Sequence, residues 1–141
     1  MANEDPFHLR RFVDAQQPVY DAVLGELRAG RKRSHWMWFI FPQIAGLGHS
    51  MMAQRFAISS LDEAVAYVLH PILGPRLREC ARLVAAIEGR SIAEIFGAPD
   101  DVKFRSSMTL FARAAPAEPV FEENLGRYFG GAPDPQTLAR L

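Results

Sequence analysis

The sequence predicts an all-α fold, a single compact domain over residues 1–141 built from about seven to nine short helices. Three observations carry that reading. Apolar residues recur at spacings of three and four, the period of a helix buried on one face. Two Ser-x-x-Glu sequences, Ser60 to Glu63 and Ser91 to Glu94, match the capping box that opens helices. No alternating strand pattern, long-period repeat or low-complexity linker interrupts the chain, and 141 residues suit one hydrophobic core.

Taken in order, Asp5-Pro6 reads as an N-cap followed by proline at the first helical position, leading into Phe7, Leu9, Phe12 and Val13. Pro18 restarts a second helix with the stripe Val19, Tyr20, Val23, Leu24 and Leu27, ended by Gly30. The run Trp36 to Phe41 is continuously apolar and fits a buried strand or a buried helical turn equally well. Ser60 opens the next helix. Leu73, Leu77, Cys80, Val84 and Ile87 form the stripe of another, closed by Gly89, and Ser91 opens a short one. Pro99 to about Ala115 and Glu118 to Phe129 follow, the latter stopped by Gly130-Gly131, and Asp134-Pro135 caps a final turn.

Composition narrows the function classes. Sixteen Lys and Arg balance sixteen Asp and Glu, so no charge excess advertises a polyanionic partner. No apolar run approaches the roughly 20 residues of a membrane helix, and none follows a charged start as a signal peptide would, so the expected location is the cytoplasm. The lone Cys80 lies on an apolar stripe and reads as a small buried hydrophobe. No His, Asp, Glu and Cys spacing suggests a metal, and no cofactor is expected.

Two segments carry the candidate chemistry. The first runs from Arg31-Lys32-Arg33-Ser34-His35 through Trp36 and Trp38 to Gln43, then Gly46-Leu47-Gly48-His49-Ser50. Cations and hydrogen-bonding groups beside large rings are what a site needs to stack a planar ligand and neutralise its charge, although a Trp and Phe cluster is more often the material of a core. The second runs from Asp100-Asp101 to Phe111. There Phe104, Met108 and Phe111 make an apolar ridge, while Val102, Ser106 and Thr109 share another face and Lys103 and Ser107 lie one turn apart. Such hydroxyls either face a polar ligand or bond back to carbonyls one turn earlier. The only two lysines, Lys32 and Lys103, fall one in each segment of a chain that otherwise uses arginine.

Several shorter motifs carry little. Gly46-Leu47-Gly48 begins like a dinucleotide fingerprint, but Met51 stands where the third glycine belongs and no strand precedes it. Ser34-His35 and His49-Ser50 are sequence neighbours, which on a helix point about 100 degrees apart. Asp100 and Asp101 suit acid-base chemistry, but acidic residues in a first helical turn more often answer the positive end of the helix dipole. The basic triplet beside two tryptophans could hold single-stranded nucleic acid, a reading the neutral total weighs against.

The blocks from Lys32 to Gln43, Gly46 to Ser50, His70-Pro71-Ile72-Leu73-Gly74, Phe96-Gly97 and Asp100 to Phe111 together closely resemble a bacterial family of domains of unknown function, whose members often carry the label calpastatin. The resemblance covers nearly the whole chain. It implies a compact multihelical domain, favours helix for Trp36 to Phe41, and supplies no reaction and no catalytic residue. A looser likeness, to domains acting on NAD-derived or ADP-ribose-linked compounds, rests on aromatic-flanked polar helices with a lysine nearby.

The leading expectation is that the two segments meet in one polar, aromatic-walled pocket for a small anionic or nucleotide-like ligand, a site that could also hydrolyse it. Trp36 or Trp38 would stack on a ring, Lys32 and Lys103 would meet negative charge, and Ser34, His35, Gln43, Ser50, Asp101, Ser106, Ser107 and Thr109 would orient the ligand beside the open backbone of Gly46 and Gly48. The alternative is a non-catalytic protein-interaction module that exposes the same aromatics as an apolar patch. Weak binding of single-stranded nucleic acid is the third.

Overall fold

Asp5 fixes the first turn of the described chain. In the computed structural model, which describes residues 4–141, its carboxylate accepts from the amides of Leu9 at 2.7 Å and Arg10 at 2.9 Å. Helix α1 therefore spans Arg10–Gln16 and starts later than Pro6, because His8 adopts φ +52° and breaks the helical run between cap and helix. Helix α2, Tyr20–Arg28, buries Val23 and Leu27. Gly30, at φ +75°, turns the chain out of it, as a left-handed terminus requires.

The apolar run forms a single helical turn, α3, Met37–Ile40, with the amide of Ile40 bonded to Trp36 O at 3.1 Å. Then come α4 (Met51–Arg55), α5 (Leu61–Leu69) and α6 (Leu73–Ala85). Helix α6 ends before Gly89, where the amides of Ala86 and Ile87 turn to carbonyls three residues back, Leu83 at 3.3 Å and Val84 at 3.2 Å, and tighten the last turn. The chain finishes with α7 (Ile92–Phe96), α8 (Asp100–Ala114), α9 (Pro119–Phe129) and α10 (Pro135–Leu138). Ten helices are present among the described residues, one above the expected range, and the element the sequence did not place is the five-residue α4. No strand forms there, and one isolated parallel bridge joins Ile44 to Ile58.

The two Ser-x-x-Glu boxes diverge. Ser91 and Glu94 satisfy one another's amides, whereas Glu63 leaves the Ser60 amide and turns inward. There it accepts from the Ser59 amide at 2.9 Å, the Ser59 hydroxyl at 2.7 Å and the guanidinium of Arg11 at 3.0 Å. Arg11 also donates to the carbonyls of Phe7, His8, Arg55 and Ala57, so one buried ion pair ties α1 to the segment between α4 and α5.

Helix α8 is the spine. It lies against α5, α7, α9 and α10, and eight of its fifteen residues are buried. Phe104 meets Phe41 edge-on at 5.0 Å and Phe96 at 4.9 Å, which anchors the α3 turn and α7 to one aromatic cluster. Burying each such ring contributes about 1.5–3 kcal/mol. The N-terminal half of α8, the spine's polar end, is thereby held against the loop that follows α3. None of the described helices is long and apolar enough to cross a membrane.

Candidate functional site

The loop after α3 is clamped before it reaches α4. Ala45 N donates to Ile58 O at 2.8 Å and Ile58 N to Gln43 O at 2.9 Å, fixing the segment beside α8. Gly46 turns at φ +97°, and Gly48 approaches α4 so closely that a Cβ there would stand 2.7 Å from that of Ala53. These glycines serve the loop's path.

A cleft of about 400 Å³ opens between this loop, α8 and α10. Gln43, Leu47, Gly48, His49 and Ser50 form one wall, Pro99, Val102, Lys103 and Ser106 another, and Asp134 and Gln136 close the third. Five residues singled out from the two sequence segments, Gln43, Gly48, Ser50, Lys103 and Ser106, line this one space. The Ser50 hydroxyl is already engaged, capping α4 through the Ala53 amide at 3.0 Å.

Its electrostatics centre on Asp100. One oxygen holds Lys32 Nζ at 2.9 Å, and the other stands 3.7 Å from Lys103 Nζ. Each ammonium also faces a tryptophan, Lys32 lying 5.3 Å from the ring centre of Trp36 and Lys103 lying 5.2 Å from that of Trp38. Two ammoniums share one carboxylate. The closer, better buried pair is Lys32 with Asp100, whose side chains are 8% and 19% exposed, and Lys103 at the cleft is 25% exposed. Asp101 turns away to accept from the Val102 amide at 2.8 Å, a first-turn role in keeping with its place on the helix.

Asp134 forms the opposite pole. Its Oδ2 accepts from the Ser106 hydroxyl at 2.9 Å, the Thr137 hydroxyl at 2.6 Å and the Thr137 amide at 3.2 Å, and Oδ1 takes none of the three. Partial burial pushes its carboxyl pKa up, but the hydrogen bonds from Thr137 and Ser106 outweigh that and hold it below the ordinary 3.8.

Other expected site residues lie elsewhere. Trp36 is sealed in the core at 1% exposure and cannot stack on a ligand, because its ring meets Phe41 and Phe96 while its indole N–H donates to Glu26 at 3.0 Å. Ser34 donates through both amide and hydroxyl to the same carboxylate, and His35 is exposed beside it. These bonds hold Glu26 below its usual pKa despite the opposing effect of burial, which makes it a loop brace and a weak base. Ser107 is wholly buried, its hydroxyl without a partner, and Thr109 bonds back to Arg105 O at 2.9 Å and faces a separate hollow of about 360 Å³ between α8 and α9. Lys32 reaches the cleft only through Asp100. Trp38 is half-buried and touches the site through Lys103.

Sequence reasoning put Val102 on the face of Ser106 without naming it a site residue, and missed His49, Asp134 and Gln136 as lining residues. Asp134 carried a signal, the cap before Pro135, which says where a helix starts and not what the carboxylate faces. Among the described residues no group of three or more His, Cys, Asp or Glu is placed to hold a metal ion.

Comparison with known proteins adds kinship. The crystal structure of the conserved hypothetical protein Rv1873 from Mycobacterium tuberculosis matches with a TM-score of 0.96 and 61% identity, covering 97% of this chain and 98% of that one. No curated protein matches. The profile of a family described as a protein of unknown function, DUF1810, matches residues 6–141, and neither description mentions calpastatin. With nearly the whole chain matched and its helical fold shared with Rv1873, the chain belongs to the DUF1810 family.

Proposed function

We propose that the cleft between the 43–50 loop, α8 and α10 binds a small anionic or nucleotide-derived ligand, with Lys103 as the anchor for its negative charge. The observation that carries this reading is the shared carboxylate. Asp100 is 2.9 Å from Lys32 and 3.7 Å from Lys103, so the ammonium facing the cleft is only partly neutralised. An entering oxyanion can take Lys103 while Asp100 keeps Lys32, and no buried charge is left unpaired. The aromatic run supports a ligand site over a protein-docking patch, since Trp36, Met37, Phe39, Ile40 and Phe41 all turn inward. Binding is the chemistry these groups provide: an ammonium, an amide and hydroxyls around a concavity of the usual ligand-site size.

The test is a calorimetric titration with pyrophosphate, AMP, ADP-ribose and NAD, repeated on Lys103→Ala. A charge-assisted hydrogen bond contributes about 1.5–3 kcal/mol, so the substitution should weaken binding about 10- to 100-fold. Trp38 emission should change with the same midpoint, since Lys103 lies over its ring. Binding that is indifferent to Lys103→Ala, or no binding across the panel at millimolar concentration, overturns the proposal.

A further inference from the structure

The cleft carries a negative pole that anion binding alone does not explain. Asp134 lines it, its Oδ2 held by Ser106 and Thr137, and Ser106 lies three residues beyond Lys103 on α8. Residues at that spacing on a helix are neighbours, about 5–6 Å apart at Cβ, so Lys103 and the serine that holds Asp134 share one face of α8 at the cleft. Lys103 and Asp134 are not paired, for the carboxylate within 4.0 Å of Lys103 is that of Asp100.

We propose, building on the reading of the cleft as an anion site, that Asp134 is a specificity-determining residue that accepts the ribose hydroxyls of a ribonucleoside 5′-phosphate whose phosphate rests on Lys103. A bare oxyanion gains Lys103 and is repelled by Asp134; a sugar phosphate turns that second contact favourable by donating hydroxyl protons to the carboxylate. A carboxylate oxygen has room for more than one such donor, and the bonds already made to Oδ2 fix the group's direction in advance.

The remaining surface fits a base. Leu47 and Val102 supply apolar wall, and Val102 is 59% exposed. Met51, next to the lining Ser50, is 88% exposed. A small zwitterion such as an amino acid would satisfy both charges and leave this apolar wall and most of the 400 Å³ unfilled.

The experiment compares AMP, 2′-deoxy-AMP, 3′-deoxy-AMP and pyrophosphate on the wild-type protein and on Asp134→Asn, which keeps a competent cap for α10. AMP should bind the wild type at least tenfold tighter than at least one deoxy analogue. In Asp134→Asn that preference should fall below threefold while pyrophosphate binds severalfold tighter. Equal affinity for AMP and both deoxy analogues on the wild type overturns the assignment, whatever the variant's stability. The two proposals fail separately. Pyrophosphate binding that Lys103→Ala abolishes, with no ribose preference, leaves the anion site standing without the role for Asp134; no binding of any probe removes both.

Discussion

Replacing Arg11 with methionine should be among the most damaging single changes available outside the aromatic core. Arg11 and Glu63 form a pair at 3.0 Å with side chains 14% and 3% exposed, and the guanidinium also donates to four backbone carbonyls and lies 4.4 Å from the ring centre of Phe12. Removing the cation strands a buried carboxylate, a change that costs about 3–5 kcal/mol. Unfolding entropy of about 2.1 cal/mol/K per residue over 141 residues amounts to about 0.3 kcal/mol/K, so the melting temperature should fall by about 10–17 °C. The informative comparison is with Glu63→Gln, which retains an oxygen to accept from Ser59 and removes the charge. If the stranded charge dominates, Arg11→Met with Glu63→Gln should be no less stable than Arg11→Met alone, because the second change relieves what the first creates. Urea unfolding of all four proteins, with constant m-values, measures the coupling. Additivity of the two single changes within about 0.5 kcal/mol would refute the argument and assign the loss to the carbonyl contacts.

The tryptophans should separate cleanly. Trp36→Phe removes a buried ring edge and the bond to Glu26 and should cost about 2–4 kcal/mol by urea unfolding, whereas Trp38→Phe, at a half-buried site, should cost less than about 1 kcal/mol. Iodide should quench the Trp36→Phe protein, which retains Trp38, more than the Trp38→Phe protein. Asp134 has a carboxyl pKa lowered by folding, so its contribution is complete above the unfolded value of 3.8 and is lost as pH falls through the lower folded value; thermal melts against pH should show a shallower acid limb for Asp134→Asn than for the wild type. Cys80 is wholly buried, and burial pushes its thiol up to about 12, so Ellman's reagent at pH 8 should react only after denaturant is added.

Helix periodicity and capping chemistry are local, and they were readable from the chain alone: the Ser91 and Glu94 box, Gly30 and Gly130 as left-handed stops, and the Asp134 cap all stand where spacing puts them. What spacing could not settle was which partner a side chain selects from across the fold. Glu63 has the sequence of a cap and becomes a buried counter-ion, one oxygen held by Ser59 and the other by Arg11, 52 residues earlier. Trp36 and Trp38 share one segment and each faces a lysine, yet only Trp36 is core, a distinction made by Phe41 and Phe96 around its ring. The two hydroxyls Ser106 and Ser107 divide likewise, and only the first reaches the cleft. The one-turn helix α4 went unread because five residues give periodicity too little length to register, whereas α7 and α10 carry caps that mark them.

The carboxylate shared by Lys32 and Lys103 makes the cleft's charge depend on a residue that does not line it. Were position 32 to become apolar, Asp100 would be free to swing wholly to Lys103 and cancel the ammonium at the cleft. Every lining side chain would be intact and the site electrically silent. Descendants of this chain could therefore lose or regain an anion site through one hidden exchange, so two relatives with identical cleft walls need not share a ligand.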